Sequence, residues 1–143
     1  YSIQELMDMP IKSIDTSPSN RASIVVKVQY ESKSFLFTGD AWAEDLSEVV
    51  TDDHFDFMKL PHHGSIRNFP EELLGKVECQ NYMICTDGVN HPDKQTIAKL
   101  ISGRKEICIL GSVNWWERKF FKEGDIEFQK SIHFIRHIKQ GKK

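Results

Sequence analysis

Apolar and polar residues alternate from Ser23 to Tyr30, a β-rich stretch followed by the turn Glu31-Ser32-Lys33-Ser34 and a return strand at Phe35-Leu36-Phe37. The pattern predicts a hairpin. From Trp42 to Val50 the apolar positions fall at 42, 46, 49 and 50, which is helical spacing. Phe55–Leu60, Tyr82–Cys85 and Glu106–Leu110 read as further strands. Between them, Asn68, Pro70 and Glu71 start a short helix, with Asn68 or Phe69 at the cap and Gly75 at its end. His91-Pro92-Asp93 opens another helix, which runs through Ile101 and stops at Gly103. Residues 1 to 19 read as a lead-in with a short strand at Ile11–Ile14. After an aromatic patch of Trp115-Trp116 and Phe120-Phe121, the tail forms a hairpin or a strand plus a short helix. Strands separated by helices predict an α/β chain with buried β-α-β units.

Composition narrows this picture without changing it. The 143 residues are 39% apolar and 28% charged, as in a soluble globular domain with a real core. No apolar run approaches the ~20 residues that span a bilayer. Tyr1 in place of Met suggests a fragment, a processed chain or a trimmed one. The three cysteines are odd in number and irregularly spaced, so buried thiols at Cys85 and Cys108 in a reducing, cytoplasmic compartment are expected. The net charge of −2 gives no global pull toward nucleic acid, but the charge is uneven. Residues 40 to 57 carry seven acidic groups and no Lys or Arg, whereas the tail from Arg118 is basic. We read 1–143 as one domain with a basic, aromatic C-terminal extension over 112–143.

The candidate chemistry sits where two strands end. Phe37-Thr-Gly-Asp40-Ala closes one, and Asp56-Phe-Met-Lys-Leu-Pro-His-His-Gly-Ser65 closes the next. Side chains at strand ends leave the packed sheet for a cleft. Carboxylate oxygen and neutral imidazole nitrogen are the donors of hydrolytic Zn²⁺ or Mn²⁺ sites. Asp40 is then either a ligand or a cap of the helix beginning near Trp42. In an extended backbone His62 and His63 diverge, so one binds metal and the other faces substrate or supports from behind. Gly64 permits a sharp turn and Ser65 bonds nearby backbone or orients an imidazole. Asp56 and Lys59 lie on opposite faces of their strand. Lys59 balances carboxylates or holds a phosphate, with surface pairing as the alternative for both. His91 is a last ligand, a general acid or a helix cap. His54, His133 and His137 read as surface or packing residues.

These two segments together resemble the metallo-β-lactamase superfamily, in particular the branch typified by the hydrolase domain of the DNA-uptake protein ComEC and by phosphorylcholine esterases. Ser19-Asn20-Arg21-Ala22-Ser23 upstream and Cys85-Thr86-Asp87-Gly88-Val89-Asn90-His91-Pro92 downstream resemble that branch as well, so the likeness covers roughly 17–111. It implies the C-terminal part of an αββα sandwich, with Asp40 bridging metals, His63 as ligand, and His62, His91 and Lys59 serving catalysis. It implies phosphodiester or nucleic-acid hydrolysis. Asn20 stands where many members of the superfamily place a histidine ligand. The family's first-half His-x-His-x-Asp-His run does not occur in this sequence. The expectation is therefore a half-site and an apolar sheet face that an upstream half-domain, a partner chain or a homodimer covers. A non-catalytic interaction module is the alternative.

Overall fold

A two-residue turn at Glu31-Ser32 joins strand β1, Val26–Tyr30, to strand β2, Lys33–Phe37, with Tyr30 opposite Lys33 in antiparallel register. Four more strands then add in parallel: β3 at Phe57–Lys59, β4 at Asn81–Ile84, β5 at Ile107–Gly111 and β6 at Ile132–Ile135. The computed structural model describes residues 1–50, 54–102, 104–117 and 120–135. Within them the sheet order is β1-β2-β3-β4-β5-β6, so each parallel connection steps the same way. Crossover connections are right-handed, and a series stepping in one direction places its helices on one face. The result is an α/β chain built on a mixed six-stranded sheet with a helix layer.

The helices are α1 at Ile3–Asp8, α2 at Pro18–Arg21, α3 at Ala43–Val50, α4 at Glu71–Lys76, α5 at Lys94–Ile101 and α6 at Ile126–Gln129. Leu36, Met58, Tyr82, Ile84, Ile107, Ile109 and Ile132 occupy one face of the sheet and are buried. They form one cluster with Ile3, Leu46, Leu73, Ile97 and Leu100 from the helices. The opposite face keeps Val26, Val28, Tyr30, Phe37 and Ile135 exposed. Phe35, Phe57, Met83, Cys108 and Leu110 of that face are half-buried, Phe35 and Phe57 through mutual stacking at 5.2 Å. That face carries these apolar residues among Lys33, Lys59, Asn81 and His133, and among the described residues no helix layer covers it.

Several expectations need correction. There is no strand at Ile11–Ile14; the N-terminus is instead helix α1, started by a capping box in which Ser2 and Glu5 bond each other's backbone. Pro70, not Asn68 or Phe69, caps α4, and Gly75 lies inside that helix rather than ending it. The tail is a strand plus a short helix, since β6 joins β5 in parallel. Cys85 is exposed and Cys108 half-buried, while the buried thiol is Cys79. Gly103 and His137 lie outside the described residues. The aromatic patch packs as expected, with Trp116 stacked on Phe134 at 4.5 Å and Trp115 edge-on to Phe120 at 4.9 Å. No helix among the described residues is long and apolar enough to cross a membrane.

Candidate metal centre at the strand ends

The loops after β2, β3 and β4 meet at one edge of the sheet. Gly39 adopts φ +54° after β2, where an added Cβ would lie 2.9 Å from the Ser23 Cβ. The Ser23 hydroxyl accepts the Asp40 N–H at 3.0 Å, which ties the Asn20-x-x-Ser23 segment to the loop. Lys59 donates to the carbonyls of Gly39 at 3.3 Å and Leu60 at 3.2 Å, and the Gly39 carbonyl also accepts the His62 N–H at 3.1 Å. Lys59 therefore brackets the two strand ends. Asp56 lies away from this edge: it accepts from the Ser34 N–H at 2.8 Å and pairs with Lys33 at 3.4 Å.

His62 and His63 are not extended. Their φ angles of +44° and +56°, followed by Gly64 at +88°, place three successive residues in the left-handed region. Non-glycine residues there are strained, and such strain concentrates where a site demands particular directions. The expectation that the two rings diverge along a strand does not hold; their centroids are 6.1 Å apart at 69°. The turn is locked from α5. Asp93 accepts the Ile66 N–H at 2.9 Å, and the Gly64 carbonyl accepts from Thr96 Oγ1 at 2.7 Å. The Ser65 hydroxyl serves the local backbone, accepting the Arg67 N–H at 3.3 Å.

This turn brings His63 Nε2 to 4.0 Å from Asp40 Oδ1. The other ring nitrogen, Nδ1, lies 2.5 Å from the Cys85 carbonyl. A carbonyl only accepts, so Nδ1 carries a proton, and in the neutral ring the lone pair is then on Nε2, on the side of Asp40. Metal-binding imidazoles are oriented by a hydrogen bond of this kind. Two donors at ~2.1 Å from one ion in tetrahedral geometry sit roughly 3.4 Å apart, so the pair fits a shared divalent ion with a small closure. Among the described residues no group of three His, Cys, Asp or Glu side chains could hold an ion.

His91 stands beside His62 with ring centroids 5.3 Å apart, and its Nδ1 is buried without a hydrogen-bond partner, 3.7 Å from Asp93. Burial holds its pKa below the ordinary imidazole range, reinforced by His62 and His63 and opposed by Asp93 and Asp40. A cleft of about 270 Å³ lies between His63, Cys85, Thr86, Asp87, Asn90 and His91. His54 and His133 are exposed and lie outside this group.

Asp15 is the functional candidate that motif reading misses. It is 7% exposed and its Oδ2 lies 3.5 Å from His62 Nδ1. Burial alone would raise its pKa, but bonds from the Ser17 N–H, Asn20 and Asn68 lower it to about 2. Its local signal is an Asp two residues before Ser17, whose N–H it accepts at 2.9 Å; that spacing marks a turn and says nothing of His62.

Compared with known proteins, the chain matches no family model, no curated protein and no solved structure.

Proposed function

We propose that this chain is the C-terminal α/β layer of a metallo-β-lactamase-like sandwich and contributes part of a divalent-metal phosphodiesterase site. The observation that carries the reading is the approach of His63 Nε2 to Asp40 Oδ1 at 4.0 Å, at the edge of a sheet whose other face is apolar and uncovered. Asp40 and His63 would hold Zn²⁺ or Mn²⁺, which supplies Lewis-acid activation of water and of the phosphoester. His91 enters as the neutral imidazole that its lowered pKa favours, the form that either accepts a proton or binds metal. His62 faces it as a second proton-transfer group. Lys59 keeps the Asp40 and His62 loops in register through its two carbonyl bonds. The remaining ligands come from a segment carrying the His-x-His-x-Asp-His run, an upstream half-domain or a partner chain, packed on the bare face. Nucleic acid or another phosphodiester is the substrate class.

A non-catalytic interaction module is the second reading. It draws on the same bare face, which serves assembly with or without chemistry.

The test is turnover of bis(p-nitrophenyl) phosphate and single-stranded DNA with added Mn²⁺ or Zn²⁺. The chain alone is expected to be inactive. Together with the segment that carries the missing histidines it turns over, and His63→Ala abolishes that turnover. Robust turnover by the chain alone contradicts the half-site; no turnover in the assembled protein leaves the interaction module.

A further inference from the structure

Asn68 is completely buried, and its side-chain amide is read without ambiguity. Its Nδ2 faces three acceptors: Asp15 Oδ2 at 2.8 Å, the Asp40 carbonyl at 3.2 Å and the Ala41 carbonyl at 3.3 Å. Only an NH₂ group satisfies that set, so the remaining atom, 3.2 Å from His62 Nδ1, is the amide oxygen. An amide oxygen accepts and does not donate. His62 Nδ1 must then carry a proton. The Asn20 amide is no rival: its NH₂ group donates to Asp15 Oδ2 at 2.7 Å and stands 3.5 Å from the imidazole nitrogen, at the limit of hydrogen-bond reach.

We propose that Asp15 and Asn68 are positioning residues that hold His62 as the Nδ1–H imidazole, leaving Nε2, across the ring from Asn68, as the free lone pair. Asn68 holds the proton and Asp15 holds Asn68. The arrangement also couples the two strand ends, because the same Asn68 NH₂ group reaches the Asp40 and Ala41 carbonyls. The opposite tautomer would turn the Nδ1 lone pair toward the amide oxygen and the Asp15 carboxylate, two acceptors with no proton between them and the ring. Asp15 stands there as an acceptor, taking bonds from the Ser17 N–H, Asn20 and Asn68. What the free Nε2 does for phosphoester chemistry rests on the hydrolase reading; the tautomer itself does not.

Nitrogen-15 NMR of the histidine rings tests this without metal or substrate. At about pH 8, wild-type His62 is expected to show a protonated Nδ1 and an unprotonated Nε2. Asp15→Asn keeps the Asn68 oxygen against Nδ1 and should keep the Nδ1–H form as the majority. Asp15→Ala with Asn68→Leu removes both acceptors, leaves the Asn20 NH₂ group as the nearest polar partner of Nδ1, and should invert the tautomer to Nε2–H. A wild type already in the Nε2–H form overturns the proposal. So does a double variant with a dispersed amide spectrum that still holds Nδ1–H as the majority. Should that double variant lose its fold, the wild type and Asp15→Asn decide. Failure of the turnover experiment with the tautomer as predicted would remove the hydrolase reading alone.

Discussion

The two faces of the one sheet differ more than any two segments of the chain. On the helix side, Leu36, Met58, Tyr82, Ile84 and Ile109 are all 0% exposed. On the other side, Tyr30 is 67% exposed and Val26 is 42% exposed. Both faces carry apolar residues, yet among the described residues only one has a layer over it. Strand alternation normally sets apolar against polar when one face meets water. Apolar residues on both faces mark a sheet made to be covered twice. The topology explains why one cover is missing: a sheet that grows in one direction puts its crossover helices on a single side. The candidate metal centre lies at the edge of the same sheet, and a second cover over the other face belongs to the proposed sandwich. An unfinished face and an incomplete ligand set are two aspects of one reading.

The largest effect separates the faces by stability. Met58→Ala or Leu36→Ala opens a cavity against the helices and is expected to cost about 2–5 kcal/mol in urea unfolding. Val28→Thr or Tyr30→Thr should stay within about 0.5 kcal/mol of wild type. An equal cost on both sides would mean that the bare face is already packed against a second molecule. A smaller effect concerns association. Val28→Glu with Ile135→Lys should reduce the binding of an apolar dye and any concentration-dependent sedimentation, since exposed apolar patches drive both. Unchanged behaviour would break the contrast.

How much of this was legible in sequence follows from how local each signal is. The hairpin, the strand ends and α5 came through, because alternation, helical spacing and Gly or Pro punctuation act within a few residues. Helix α1 carried its signature in Ser2 and Glu5, but the apolar residues at Ile11 and Ile14 drew a strand where Ile14 instead lies in an exposed loop. The left-handed His62-His63 turn was not readable, since neither residue type announces a positive φ. Asp15 and Asn68 are 53 positions apart, and no spacing rule joins them. Asp125, completely buried while bonding the Ile3 N–H at 2.7 Å, shows the same limit at the other end of the molecule.

A modest effect of pH follows from Asp15. Its pKa is depressed from 3.8 to about 2 by bonds that only the folded chain provides. The unfolded state binds the proton more readily, so this contribution is fully present above about pH 4 and is lost as pH falls toward about 2. His91, also depressed, adds in the same direction, its contribution fading as pH falls below its ordinary ~6.5. Urea midpoints between pH 8 and pH 2 check both. In Asp15→Asn the acid portion of the loss should shrink; an unchanged acid limb would mean that Asp15 is not held as described.

The most direct test of the account is calorimetric titration of the chain with Zn²⁺ and Mn²⁺. Two ligands are too few for the closed shell of a tight site, so binding is expected to be about micromolar or weaker. It should vanish in both Asp40→Ala and His63→Ala. Nanomolar affinity in the wild type, or binding unaffected by either substitution, would contradict the reading of Asp40 and His63 as the part of a metal centre that this chain contributes.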